Sequence, residues 1–173
     1  MKYRILFLLA ILIIAAGKTS ACSCMEVSVA ENLASSDIVF KGKVISKVTT
    51  TNFDSLNITL EKIYNDRLDF NSIPVTAVSI EVKTLYKGYG SDTITIITPS
   101  NGAACGVRFD VGKDYIVYAT NDMRQPYTIK NKCYKNKIFW THLCTRTDIW
   151  YGEEERAIKK ELKKQKDESG KKA

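Results

Sequence analysis

The side chains able to do chemistry in this chain are few. There are five cysteines, at Cys22, Cys24, Cys105, Cys133 and Cys144, and one histidine, His142. Cysteines serve as metal ligands, nucleophiles or disulfide partners. A structural zinc site usually separates its paired ligands by about two to four residues, whereas Cys22-Ser23-Cys24 has a single residue between. One histidine is also a thin supply of nitrogen ligands, so no metal or other cofactor of the protein's own is expected. For nucleophilic catalysis, Cys133 with His142 is the one candidate nucleophile–base pair, and no phosphate-binding loop is present. Within a disulfide framework that pair is incidental, and an enzyme is not expected. Disulfide bonding is the remaining use, and an odd count leaves one thiol over or calls for a second chain.

The reading depends on compartment, and the first residues address that. Lys2 and Arg4 give a positive start, Ile5–Ala16 is a run of 12 apolar residues, and Thr19-Ser20-Ala21 offers small residues before a cut. Those are the three parts of a secretory signal. The run falls short of the ~20 residues that span a bilayer, so no transmembrane segment is expected. Cleavage after Ala21 makes Cys22 the first mature residue and places the cysteines in an oxidising, extracellular compartment. The formal charge falls from +7 to +4 as Lys2, Arg4 and Lys18 leave. That is too mild and too dispersed to predict nucleic-acid binding.

The elements that must position these cysteines are short strands. Val27–Ser36, with Ala30, Leu33 and Ala34, predicts a short helix. Asp37–Val48 alternates, with Ile38, Phe40, Val44 and Val48 on one face and Lys41, Lys43 and Lys47 on the other. Leu56, Ile58 and Leu60 alternate again, and Tyr64–Pro74 breaks the pattern. Thr76–Tyr86 and Thr93–Thr98 read as strands joined by the glycine-bearing turn Lys87–Asp92. Pro99–Ala104 is a loop ending at Cys105, Tyr115–Ala119 a buried-type strand, and Pro126–Ile129 the opening of the last strand. Lys130–Trp150 carries no clear period. Glu153–Gln165 is helix-prone with a thin apolar edge of Ala157, Ile158 and Leu162, read as a solvated helix end, and Lys166–Ala173 is expected to be disordered. Short strands without alternating helices predict an all-β barrel or sandwich. The expected division is a signal peptide over 1–21, a folded domain over 22–151 and a charged tail over 152–173.

Cys-Ser-Cys at a mature N-terminus, a short helix and then Asp37-Ile38-Val39-Phe40-Lys41-Gly42-Lys43-Val44 resembles the inhibitory domain of the tissue inhibitors of metalloproteinases. The resemblance returns at Leu85-Tyr86-Lys87-Gly88, at Thr98-Pro99 with Cys105-Gly106 beyond, and at Cys144 with Trp150, and it covers about 22–151. It implies a five-stranded OB-type (netrin-like) barrel, all-β with short helices, stapled by Cys22–Cys105 and Cys24–Cys144. It implies a secreted inhibitor of zinc metalloendopeptidases. The α-amino group and carbonyl oxygen of Cys22 would chelate the target protease's zinc. That amine has an ordinary pKa of about 8 and is readily deprotonated, and a catalytic zinc keeps a position open. Ser23 would point at the protease's specificity pocket. Cys24 would also contact the protease, Met25 and Glu26 would lie along the substrate groove, and Pro99, Ser100, Asn101, Gly102, Ala103 and Ala104 would touch its far side.

The chain departs from that pattern. The family's third bridge starts at a position matched here by Ala34, so it is absent, and Cys133 is left unpaired or linking two chains. No counterpart of the family's separate C-terminal domain is expected. The segment 49–76 is longer than a minimal hairpin, read as decoration, and Asn57-Ile58-Thr59 is a glycosylation sequon. Two alternatives depend on the same amine: a non-inhibitory netrin-like binding module, and a bacterial-type lipoprotein acylated at Cys22. Thr19 stands where such a lipoprotein usually has a branched apolar residue, which counts against the second.

Overall fold

The structure, a computed structural model, describes residues 23–51, 61–62, 74–100, 105–121, 127–128 and 138–170, with 61–62 and 127–128 as backbone alone. The expected signal peptide, Cys22, the Asn57 sequon, Asn101–Ala104 and Cys133 lie outside the described residues. Helix α1 spans Val29–Ser35. It starts where Ser28 caps it: the Ser28 hydroxyl accepts from the Glu31 N–H at 3.2 Å, and the Glu31 carboxylate accepts from the Ser28 N–H at 2.9 Å. This reciprocal box satisfies two of the donors that a helix start leaves open. The Ser28 hydroxyl, which also donates to the Glu31 carboxylate at 2.7 Å, and then the Ser28 N–H hold that carboxyl below its usual pKa. At the other end the backbone turns extended at Ser36. Lys87 reaches across to donate to the carbonyl oxygens of Leu33 and Ala34, a favourable place for a cation.

Strands follow as β1 (Ile38–Thr50), β2 (Glu61–Lys62), β3 (Val75–Lys87), β4 (Thr93–Pro99), β5 (Asp114–Ala119), β6 (Tyr127–Thr128), β7 (Ile138–Trp140) and β8 (Asp148–Ile149), before helix α2 (Gly152–Gly170). Among the described residues they form a six-stranded sheet in the order β7-β4-β3-β1-β5-β8 and a two-stranded pair β2-β6. All pairings are antiparallel except β4 with β7. The sheet is open. Thr120, just past β5, makes one antiparallel bridge to Trp140 at the end of β7.

The two longest strands carry the curvature. The β1–β3 register shifts at Val39/Phe40, Lys41/Gly42 and Val44/Ser46. Each shift is a bulge that bends and twists the ribbon. Gly42 sits inside this stretch because a Cβ there would lie 2.6 Å from both Glu81 O and Ile80 Cγ2. Gly88 ends β3 at φ +87°, where a Cβ would meet Asp37 O at 2.4 Å. Val39 and Phe40 pair with Lys87 and Leu85, and Gly88 lets the chain pass close to Asp37 just beyond that pairing.

Both faces of the sheet are covered. Ile38, Phe40, Ile94, Ile96, Val117 and Phe139 belong to the larger core cluster. Val39, Ile116 and Tyr118, pointing the other way, join Leu33 of α1 and Ile158 of α2 in the second. In β5 the residues Tyr115–Ala119 are all buried, because alternate side chains serve alternate cores.

Several boundaries differ from the sequence reading. Six strands stand where five were expected, since Asp148–Ile149 adds to the free edge of β5. Val48 is 56% exposed and does not share a buried face with Ile38, Phe40 and Val44: the shift at Val44/Ser46 reverses the faces, and β5 stops at the Lys43–Asp114 pair. Tyr127–Thr128 pairs with Glu61–Lys62 instead of opening the last strand. The segment expected to be a solvated, partly disordered tail is helical to Gly170, and its first turns bury Glu154 and Ile158. Ile158 is fully buried in the second core, so α2 is part of the folded unit.

Candidate functional site

The cysteine-bearing segments meet at one turn. Thr141 leaves β7 with its N–H donating to Ile97 O at 3.0 Å, and the chain reverses through His142–Thr145, where the Thr145 N–H donates to His142 O at 3.0 Å. Cys144 is bonded to Cys24, 120 residues away in sequence, with the two Cα atoms 5.1 Å apart. The Leu143 N–H donates to Cys105 O at 2.7 Å. One turn thus holds the N-terminal segment covalently and the end of the Pro99–Ala104 loop by a hydrogen bond. Cys105 is itself disulfide-bonded. Its expected partner Cys22 lies outside the described residues. Cys105 has φ +60°, the left-handed region that non-glycine residues rarely adopt.

The turn is rigid because its hydroxyls are consumed internally. Thr147 accepts from the Tyr118 N–H at 2.9 Å and donates to Tyr118 O at 3.0 Å. Thr141 donates to the same carbonyl at 2.8 Å. Thr141 and Thr147 are both buried, where an unpaired hydroxyl would be costly. His142 accepts the Cys144 N–H at Nδ1, 3.1 Å away. That spends one ring nitrogen on bracing the turn.

Arg146 joins the turn to its surroundings. Its Nη1 donates to Val27 O at 3.0 Å, and its Nε donates to Glu154 Oε1 at 2.7 Å while Nη2 pairs with Oε2. Its backbone N–H reaches Asn32 Oδ1 of α1. Glu154 also accepts from the Tyr118 hydroxyl at 2.7 Å. Burial acts to raise the Glu154 carboxyl, but the hydrogen bonds from Arg146 and Tyr118 outweigh it, and the group is held below the usual carboxylate range. The same pair raises the Arg146 guanidinium above its ordinary value. Burial, then Glu154, pushes the Tyr118 phenol up.

The result is an exposed ridge on a stiff base. Ser23, Cys24, Met25 and Glu26 face solvent, with Met25 87% exposed. Beside the ridge lies a cleft of about 410 Å³ between Met25–Val27, the C-terminal end of α1 and the Trp140–His142 stretch. Pro99 ends β4 buried opposite Val75, and the Ser100 N–H donates to Pro74 O at 3.0 Å. Of the residues singled out from sequence, Ser23–Glu26, Cys105 and Cys144 are brought together here. Ala34 is exposed.

Sequence reasoning did not find Arg146 or Glu154. Each lies next to a noticed feature, the Cys144–Trp150 spacing and the charged helix, but a lone arginine and a glutamate in a first helical turn carry no signal of being partners. Among the described residues no group of three or more His, Cys, Asp or Glu side chains could hold a metal ion, and no helix is long and apolar enough to cross a membrane. No protein-family model matches the chain, and no curated protein matches it either.

Proposed function

We propose that this is a secreted inhibitor of zinc metalloendopeptidases, presented on an OB-type barrel. The barrel reading is supported by the strand order β4-β3-β1-β5 with β7 parallel to β4, and by the Thr120–Trp140 bridge that links β5 back to β7. The inhibitory reading is carried by one observation: the His142–Thr145 turn fastens both Cys24 and Cys105. An exposed N-terminal ridge and the end of a second loop then share a single rigid support. A partner meets a preformed surface and little ordering entropy is lost on binding.

In this reading the mature N-terminus is Cys22. Its α-amino nitrogen and carbonyl oxygen replace the water on the target's zinc, and Ser23 enters the mouth of the specificity pocket. Met25 and Glu26 follow the substrate groove. The zinc belongs to the target, and the inhibitor supplies no redox or hydrolytic group. Two measurements test this. The mature protein, with its N-terminal mass checked, is assayed against a panel of secreted zinc endopeptidases, and a variant with one Ala added before Cys22 is assayed beside it. Inhibition by the former and not the latter is expected. Equal inhibition by both rules out amine chelation, and an acylated Cys22 favours the lipoprotein alternative.

A further inference from the structure

Besides the disulfide, the strongest described hold on the N-terminal ridge is a charge-assisted bond from outside it. The Arg146 guanidinium is a fork with two prongs in use. One side grips Glu154 through Nε and Nη2, and the other donates from Nη1 to Val27 O at 3.0 Å. Glu154 is 3% exposed and stands in the first turn of α2. Its position is fixed by the Tyr118 hydroxyl and by Ile158 one turn further on, buried in the second core. The chain of contacts therefore runs from α2, through Glu154 and Arg146, to the backbone of the ridge three residues beyond Cys24. The disulfide fixes Cys24, and the capped start of α1 fixes the chain at Ser28. Arg146 holds Val27 O between those two points and so sets how the intervening backbone is turned.

We propose that Arg146 is a positioning residue for the Ser23–Val27 ridge, and that Glu154 acts through it, so that the docked helix α2 sets the angle at which the N-terminus is offered to a protease. This rests on the inhibitory reading for its consequence, but the mechanical half stands apart from it. Arg146→Ala strips a buried carboxylate of its partner and endangers the fold, so the informative variant is Arg146→Lys. A lysine keeps one charge beside Glu154 but has no fork with which to reach Val27 at the same time. Two readouts are taken on the mature protein: backbone ¹⁵N order parameters of Met25–Val27, and the inhibition constant for whichever panel protease the wild type inhibits.

The expected result is an Arg146→Lys protein that keeps its sheet spectrum. Its order parameters over Met25–Val27 fall from the rigid toward the flexible range, and its inhibition constant rises about tenfold, as befits loss of one hydrogen bond from a charged donor. If the wild type inhibits no protease but the order parameters still fall, the positioning role stands and the inhibitory reading fails. If the variant is folded and Met25–Val27 are as rigid as before, the positioning role is overturned, whatever the assay shows.

Discussion

Removing the Cys24–Cys144 bond tests how much the ridge owes to covalent closure. The perturbation is the double substitution Cys24→Ser with Cys144→Ser, which leaves no new free thiol. The bond joins residues 120 apart. In the chain-entropy treatment, a loop of that size restrains the unfolded state by about 4.9 kcal/mol at 25 °C. Cys105 keeps its own disulfide in the variant and already restrains the unfolded chain, so the loss should be smaller, about 2–4 kcal/mol. For a folded unit of this size that is a fall in Tm on the order of 10 °C. The assay is urea unfolding at pH 7 followed by far-UV circular dichroism, with wild type and variant each fitted with its own slope. The midpoint should fall while the slope rises modestly, since the less restrained unfolded chain exposes more surface. A loss below about 1 kcal/mol would show that the Thr141–Thr147 hydroxyl network and Arg146 alone hold the turn, and would refute the view that closure of the long loop is what stabilises it.

Two further outcomes follow from the same geometry. Ile158→Ala should cost about 2–4 kcal/mol in urea unfolding, because Ile158 is fully buried between α2 and the outer sheet face; a cost within experimental error would return α2 to the status of a solvated tail. The folded-state pKa of Glu154 is depressed, so its pairing contributes stability at neutral pH that is lost as pH falls through the carboxylate range. Glu154→Gln should therefore be less stable than wild type at pH 7 and show a flatter decline toward pH 3 (urea midpoints at each pH), and parallel profiles would count against the buried pair as the source.

The sequence was most informative where one rule dominates. Alternation placed Ile38 and Phe40 and Ile94 and Ile96 in strands, and the continuous apolar run Tyr115–Ala119 read as a strand buried on both faces, because both patterns are local. The Lys87–Asp92 turn was legible from its glycines, and Gly88 does adopt positive φ. Legibility failed where tertiary pairing decides. Val48 has the right parity, yet a bulge at Ile45 and the end of β5 put it in solvent. The Lys130–Trp150 stretch had no period because β7 and β8 are three and two residues long, with the turn between them held by threonine hydroxyls. Helix α2 was misjudged because one edge of Ala157, Ile158 and Leu162 looks too thin to bury, yet Ile158 reaches a core that three other elements, α1, β1 and β5, had already built. The candidate ridge was visible as a cysteine spacing. What aims it, Arg146 and Glu154, is a contact between residues eight apart whose geometry exists only once the helix has docked.

That dependence sets an order on synthesis. Ser23 is among the first described residues to be made, but its support is completed by Cys144, Arg146 and Glu154 near the other end. At ~5–20 residues per second, the ridge waits on the order of ten seconds for its anchors to emerge. Throughout that interval Cys24 is a thiol without its native partner, in company with other cysteines. Correct pairing is therefore a late event, governed by how quickly β7 and the turn after it join the sheet. Yield on refolding should follow the speed of thiol–disulfide exchange more closely than the speed at which β1, β3 and β4 assemble.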